Sequence, residues 1–304
     1  MQRHHQLPAV DMTKEQVLII ASFAAIYFIW GSTYLANDWA MGTIPPLIMA
    51  GSRFLVAGCI LYPIAAWSIK ERPKLRQIRN AGIIGFLFLT IGTGAAILAL
   101  QYVDTSFAAL VIAFEPMVIM LMLWGFRGKL PSWLAWVGAA VSIVGLLLLI
   151  GQPELPAWEQ LLPGLGWIAT GMLSWGVATV YLDSVDMGEN SWMATAWQML
   201  LGGGMLILLS LLKSEWVGWS PVQVDSRSLW SWIYLVFFGS ILAFSAFNYL
   251  LKRVSPEKVA TNTYVNPLVA AALGYYLNDE PFSEQTAMAA VIMLAGVYFI
   301  NKAK

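Results

Sequence analysis

The chain has 304 residues, of which 59% are hydrophobic and only 11% are charged. Soluble domains carry about 25% charged residues, whereas apolar stretches of about 20 residues recur along this whole chain. These features exclude a soluble globular protein and predict an all-α polytopic membrane protein. Basic and acidic residues both number 17. This balanced charge does not favour a nucleic-acid partner, and we expect none.

The first 15 residues are predicted to form a cytoplasmic tail before the first apolar stretch. The tail has no apolar segment followed by small residues, so we expect no cleaved signal peptide. It holds both histidines, His4 and His5, and the single cysteine, Cys59, lies within an apolar stretch. These residues favour neither a metal site nor an intrachain disulfide. The sequence contains no phosphate-binding loop, so we expect no ATP-driven transport and no cofactor.

Ten transmembrane helices are predicted, with tight polar turns between most of them. The predicted spans are residues 16–36, 46–68, 80–101, 105–126, 132–150, 163–183, 191–212, 229–250, 257–277 and 283–301. An even number of crossings puts both termini on the same side of the membrane.

The basic residues of the loops predict which side this is. Most of them lie near the termini or after the second, fourth and eighth spans: Arg3, Lys14, Lys70, Arg72, Lys74, Arg76, Arg79, Arg127, Lys129, Lys252, Arg253, Lys258, Lys302 and Lys304. The opposite side carries only Lys213 and Arg227. Lys and Arg concentrate in cytoplasmic loops, so we expect an inner-membrane protein with both termini in the cytoplasm. One loop on that side, "DSVDMGEN" at 183–190, is acidic and departs from the pattern.

An internal repeat divides the chain into two halves, residues 16–150 and 163–304. Residues 100–118 align with residues 251–269 without a gap. Because each half holds five spans, an odd number, the second half must enter the membrane upside down. Inverted repeats are typical of secondary transporters, whose substrate site lies near the midplane where the halves meet.

Two residues of the repeat predict where that site lies. Glu115, the only carboxylate deep within a predicted span, corresponds to Asn266 in the second half. Glu115 lies about ten residues, or roughly 15 Å, from the outer end of its span. Each residue is followed by a proline, Pro116 or Pro267, which removes a backbone hydrogen bond and kinks the helix. Freed carbonyls need protein or water around them. We therefore predict a partly hydrated cavity between the fourth and ninth spans.

Several segments carry a family likeness: "WGSTY" at 30–34, "RFLVA" at 53–57, "ALQYVDTSFAALVIAFEPMV" at 99–118 and "LNDEPFSE" at 277–284. Together they resemble the EamA family of the drug/metabolite transporter superfamily. The resemblance implies ten helices in two inverted halves, alternating access, and a cavity lined largely by helices 1, 3, 4, 6, 8 and 9. Family members are mostly exporters of amino acids, other metabolites or drugs.

The chain also departs from the family pattern. Many members have a Gly-Glu turn after both the fourth and ninth helices. Here the first repeat has "RGK" at 127–129, and only the second keeps acids, at Asp279 and Glu280. Gln198 stands at the position equivalent to Arg53. The family motifs are mainly architectural, so the resemblance does not identify the substrate.

Glu115 and Arg53 are the two charged residues deep within the predicted spans. Glu115 could contact substrate or couple transport to protons, because burial disfavours the charged form of a carboxyl group. The alternative is a neutral or paired carboxyl that stabilises the kinked backbone. Arg53 could extend outward to the interface, pair with Glu115 or bind a substrate carboxylate, and a structural role is favoured. A pair would suit zwitterions, whereas an unpaired Glu115 would suit cations.

Further polar and aromatic residues are candidates for the lining of the cavity. They are Trp30 and Tyr34 in the first span, Trp175 in the sixth, and Asn262, Tyr264 and Asn266 in the ninth. Aromatic residues also form interfacial belts, and lone amides often make interhelical hydrogen bonds, so both alternatives stay open. Gly202, Gly203 and Gly204, and Gly138 with Ser142, indicate close helix packing.

The sequence therefore predicts a secondary transporter, not an enzyme, that works in membrane lipid by alternating access. Its expected substrates are amino acids or related small amine-bearing metabolites, with proton coupling as a hypothesis. A proton-coupled exporter of cationic drugs is the nearest alternative. A lipid scramblase or intramembrane enzyme is the alternative from another class. The sequence is compatible with a monomer or a homodimer.

Overall fold

A computed structural model of the protein describes residues 12–68, 72–103, 105–151, 158–277 and 283–303. This part of the chain is helical and contains no strand. In chain order the helices are α1 (Lys14–Met41), α2 (Pro46–Trp67), α3 (Leu75–Ala99), α4a (Thr105–Ile112), α4b (Glu115–Arg127), α5 (Trp133–Ile150), α6 (Trp158–Leu182), α7 (Ser191–Leu212), α8 (Ser226–Leu251), α9a (Pro256–Val259), α9b (Asn262–Leu277) and α10 (Glu284–Lys302). Several residues used in the predictions lie outside the described residues: most of the tail, Lys70, Asp279, Glu280 and Lys304.

Eight of the described helices are long and apolar enough to cross a membrane without a break: α1, α2, α3, α5, α6, α7, α8 and α10. A helix satisfies its own backbone hydrogen bonds, which lipid cannot do, so apolar stretches of this length fold as helices. The fourth and ninth predicted spans are each interrupted and therefore differ from the other eight.

The interruption of the fourth span lies beside Pro116, where the sequence predicts a kink. It falls at Ala113 and Phe114, and α4b begins at Glu115 with Pro116 at its second position. Proline suits the first turn of a helix because an amide hydrogen there has no intrahelical acceptor.

The interruption of the ninth span lies well before its proline. It falls at Ala260 and Thr261, and Pro267 lies inside α9b. The hydroxyl of Thr261 donates to the carbonyl of Lys258 at 2.6 Å and shares a 2.6 Å hydrogen bond with the hydroxyl of Tyr27. These side-chain bonds stabilise a turn that competes with the helix at this point. The second break is therefore displaced along the chain from the position expected from Pro267.

The most extensive helix contacts join equivalent helices of the two halves, α2 with α7 and α5 with α10. Both pairs run antiparallel. In the second pair, Gly138 faces the backbone of Gly296 and Ile300, whereas Gly145 faces Ala289 and Met293 further back along α10. Small residues allow this close approach, which stabilises helix pairs in membranes.

The predicted packing glycines differ in how close their neighbours lie. A Cβ atom on Gly138 would lie 2.6 Å from the carbonyl oxygen of Gly296, and one on Gly202 would lie 2.6 Å from that of Gly85. A Cβ atom on Gly204 would lie 3.9 Å from its nearest neighbour, so packing there does not require glycine.

Ion pairs gather several loops at one end of the molecule. Asp183 lies 3.7 Å from Arg127 and 3.8 Å from Lys129, and Asp186 lies 3.7 Å from Arg76. The backbone amide of Gly188 and then the side chain of Gln77 hold the pKa of Asp186 below its usual range. These contacts explain the acidic loop in the sequence, because its carboxylates neutralise basic residues of the same end.

Candidate functional site

A cavity of about 240 Å³ lies between the two halves. Its lining comes from α1, α2, α3, α4, α6, α8 and α9, and no residue of α5, α7 or α10 contributes. Polar, charged and aromatic residues on this lining include Trp30, Thr33, Tyr34, Arg53, Phe54, Thr93, Glu115, Trp175, Thr179, Phe244, Phe247, Asn262, Thr263 and Asn266. The helices that line the cavity are those implied by the family resemblance, with α2 in addition.

Glu115 is the acidic residue of this lining. It is half-buried, and its carboxylate makes no hydrogen bond or ion pair with another described residue. As the first residue of α4b it lies at the positive end of the helix dipole, which stabilises a carboxylate. The break in the span therefore explains why a carboxylate and a proline occur together: the break creates the helix start that favours both residues.

Arg53 is the basic residue of the same lining and is only 8% exposed. Its Nη1 donates a 2.9 Å hydrogen bond to Oδ1 of Asn37, and its guanidinium lies 4.6 Å from the centre of the Phe54 ring. It makes no ion pair with Glu115 or with any other described carboxylate. Of the three predicted alternatives, pairing with Glu115 is not adopted.

Three aromatic rings meet at the cavity. Trp30 and Trp175 lie 6.2 Å apart in an edge-to-face arrangement. Phe247 lies 5.1 Å from Trp30 and 5.2 Å from Trp175. The indole of Trp30 also donates to the carbonyl of Gly239 at 3.2 Å, which orients its ring. Both tryptophans face the cavity, whereas sequence reasoning did not select Phe247.

The remaining predicted site residues divide into two groups. Tyr34, Asn262 and Asn266 line the cavity. Tyr264 does not line it, because its side chain is fully buried in an apolar cluster with residues of α5 and α10. Asn262 and Asn266, four residues apart, therefore lie on the face of α9b that meets the cavity, and Tyr264 lies on the opposite face against the α5–α10 pair.

The other lone amides in the spans do not face the cavity. Asn248 donates to Gln198 at 3.1 Å and to Thr195 at 3.3 Å, and all three residues are buried. They link α7 to α8, as the interhelical alternative predicted. The described residues contain no group of three or more His, Cys, Asp or Glu residues that could hold a metal ion.

A second cleft, of about 330 Å³, lies at the end of the molecule that carries the ion pairs. Its charged lining residues are Lys129, Asp183, Lys252, Arg253 and Glu257. Burial lowers the pKa of the Lys252 amino group, and the charge of Arg253 acts in the same direction. Leu251 and Pro256 line both the cleft and the central cavity. The cavity therefore adjoins a predominantly basic cleft at this end.

Comparison with known proteins identifies the family. The model of the EamA-like transporter family matches twice, over residues 17–151 and 162–302. The uncharacterized inner membrane transporter YedA of Escherichia coli K12 is 33% identical over 291 residues, which cover 94% of this chain and 91% of that protein. A S-adenosylmethionine/S-adenosylhomocysteine transporter of Chlamydia trachomatis serovar L2 is 26% identical and is matched over 90% of this chain and 86% of its own length.

One solved crystal structure matches with a TM-score of 0.76 over 92% of this chain and 95% of the matched chain. At 17% sequence identity this likeness shows the fold alone. The two matches to the family model cover both halves, and the apolar helices fit a membrane protein. The chain therefore belongs to the EamA-like transporter family and is a membrane transporter.

Proposed function

We propose that this protein is an inner-membrane secondary transporter that exports amino acids or related small amine-bearing metabolites by alternating access. The observation that carries the proposal is the carboxylate of Glu115, which lines the central cavity without a cationic partner among the described residues. Intramembrane acids are rare and usually mark substrate or proton pathways. A cargo with an amino group supplies the cationic partner that Glu115 lacks.

The architecture that we propose has ten membrane crossings in two inverted halves, residues 16–150 and 163–304, with both termini in the cytoplasm. The antiparallel pairing of equivalent helices supports inversion. The basic loops supply the orientation, because they gather at one end through shared ion pairs. In this arrangement the cleft near Lys252 opens toward the cytoplasm and is the entry route for an exported solute.

Transport is coupled to protons through Glu115 in this proposal. The ionised carboxylate binds the ammonium group of a solute from the cytoplasm. Protonation on the outer side removes the attraction and releases the solute, and the proton leaves on the cytoplasmic side. The single acid thus holds either a proton or the cargo, which gives antiport.

The proposal is tested with purified protein in liposomes, by measuring amino-acid transport driven by a pH gradient. Glu115→Gln should abolish the driven component, whereas the exposed control Glu159→Gln should retain it. If Glu115→Gln keeps the full pH-gradient response, proton coupling through this residue is wrong. If neither protein transports amino acids or simple amines, the proposed substrate class is wrong.

The aromatic rings favour a second candidate, the export of organic cations with proton coupling. Trp30, Trp175 and Phe247 line the same cavity as the carboxylate of Glu115, and the faces of aromatic rings attract cations. The relative from Chlamydia trachomatis is named as a transporter of S-adenosylmethionine, which suggests that larger amine-bearing solutes fit this fold. Protection of cells against quaternary amines, without amino-acid transport in liposomes, would favour this candidate.

A further inference from the structure

Arg53 carries a charge that its surroundings do not neutralise. Its side chain is only 8% exposed, and it lies within a membrane-spanning helix, α2. A buried charge without a counter-charge is strongly unfavourable, because the charge loses its hydration and gains no ionic partner. A chain that keeps arginine at such a position therefore needs a compensating group in at least one functional state.

The described residues supply only part of this compensation. The side-chain oxygen Oδ1 of Asn37 accepts one hydrogen bond from Nη1, and the ring of Phe54 contributes a cation–π contact. Both partners are uncharged. Nε is buried without a hydrogen-bond partner, and Nη2 makes no hydrogen bond to a described residue. Guanidinium carries five N–H donors, so most of its donor capacity is unused.

Arg53, whose N–H donors are mostly without partners among the described residues, lines the central cavity. Guanidinium binds carboxylates through paired hydrogen bonds, and its planar geometry favours that ligand. Oδ1 of Asn37 accepts from Nη1, whereas Nε and Nη2 have no hydrogen-bond partner among the described residues. Glu115 lines the same cavity, so one cargo molecule in the cavity meets both charged residues.

We propose that Arg53 binds the carboxylate of the cargo, that Asn37 is its positioning residue, and that the cargo is a zwitterion whose ammonium group binds Glu115. The proposal rests on the proposed function and narrows its substrate class from amines in general to solutes with both charges. The aromatic rings of Trp30, Trp175 and Phe247 then contact the side chain of the cargo.

The test compares matched ligands on the purified wild-type protein. A thermal-shift panel of the proteinogenic amino acids selects the strongest ligand. Counterflow in proteoliposomes then compares this amino acid with its decarboxylated amine and its methyl ester. Both analogues keep the ammonium group and lose the carboxylate. We expect each analogue to be transported at least about tenfold less efficiently, because charge-assisted hydrogen bonds contribute effects of that order.

Variants separate recognition from a structural role. Arg53→Gln should lower the efficiency for the amino acid by about tenfold or more and leave the amine unchanged. Arg53→Lys should retain part of the preference, because it keeps the charge without the paired geometry. Asn37→Ala should raise KM for the amino acid with little change in the maximal rate. A purely structural role would lower the efficiency for both ligands by the same factor.

The outcomes distinguish this inference from the proposed function. Equal transport of the amino acid and the amine by wild-type protein overturns the carboxylate site and leaves an amine exporter. Equal losses for both ligands in Arg53→Gln also overturn the inference. If Arg53→Gln does not fold, the wild-type ligand series alone decides. An absence of binding by every amino acid and amine overturns both proposals.

Discussion

The two halves of the molecule share a frame but carry different chemistry. In the first half, Arg53 and Glu115 bring both charges of the cavity. At the equivalent positions the second half has Gln198 and Asn266, which are neutral amides. Asn266 lines the cavity, whereas Gln198 is buried against Asn248 and links two helices. The difference shows that the first half supplies the charged residues of the cavity, whereas the second half contributes neutral residues to its wall.

The largest expected effect concerns the unequal pair Glu115 and Asn266. Glu115→Gln should lower the efficiency of amino-acid counterflow on the order of a hundredfold, because Glu115 is the one carboxylate among the described lining residues that can pair with a buried ammonium group. Asn266→Ala should lower it about fivefold, as expected for one neutral hydrogen bond. Counterflow with matched amounts of folded protein checks both values. Equal losses would contradict the division of roles between the halves.

The packing of equivalent helices should be symmetric where the chemistry is not. A Cβ atom on Gly138 or on Gly296 would lie within 2.6 Å of the carbonyl oxygen of the other. Gly138→Ala and Gly296→Ala should each destabilise the protein by about 1–3 kcal/mol, as overpacking does. Gly125→Ala is the control, because a Cβ atom there would have no neighbour within 4 Å. Thermal unfolding in detergent measures the stability of all three variants. If Gly296→Ala unfolds at the same temperature as the wild-type protein, the symmetric α5–α10 contact is contradicted.

The smallest effect concerns Asp186, which links the acidic loop of the second half to Arg76 and Gln77 of the first. Hydrogen bonds from Gly188 and Gln77 hold the pKa of Asp186 below its ordinary value of 3.8. This carboxylate therefore stabilises the folded state at pH values above its pKa in the unfolded chain. The contribution is lost as the pH falls through its pKa in the folded protein. Asp186→Asn should lower the melting temperature slightly at neutral pH and not at strongly acidic pH. A pH-independent difference would contradict this origin.

The family and the membrane-spanning character were predictable because they depend on short sequence segments and on apolar length, and both can be recognised without knowing the tertiary structure. Apolar length alone indicates helices in lipid. Segments such as 30–34 and 99–118 carry the family likeness, and the family assignment was confirmed by matches to both halves. Eight unbroken helices agree with the apolar stretches, whereas the fourth and ninth spans are interrupted.

Other features depend on tertiary contacts and were not predictable. The break at Ala260 and Thr261 is stabilised in part by the hydroxyl of Tyr27 in α1, a contact between distant parts of the chain that the sequence does not reveal. Asn37 was missed because the first predicted span ended at residue 36, whereas α1 continues to Met41. Phe247 is one of many aromatic residues in apolar helices, and only the fold selects the face that meets the cavity. The sequence likewise does not reveal that the side chain of Tyr264 packs against α5 and α10 and not in the cavity, because this also depends on how the helices pack.

The most direct test of the account measures whether the cavity is open to water and occupied by the cargo. The native cysteine, Cys59, is replaced by serine, and single cysteines are introduced by Ala96→Cys in the cavity lining and Val144→Cys on α5, where Val144 is 57% exposed. A charged thiol reagent should modify the cysteine at 96, and the transported amino acid should protect it. The cysteine at 144 should stay unreactive because it faces lipid. An unreactive cysteine at 96, or labelling that no amino acid or amine slows, would contradict a hydrated substrate site between the halves.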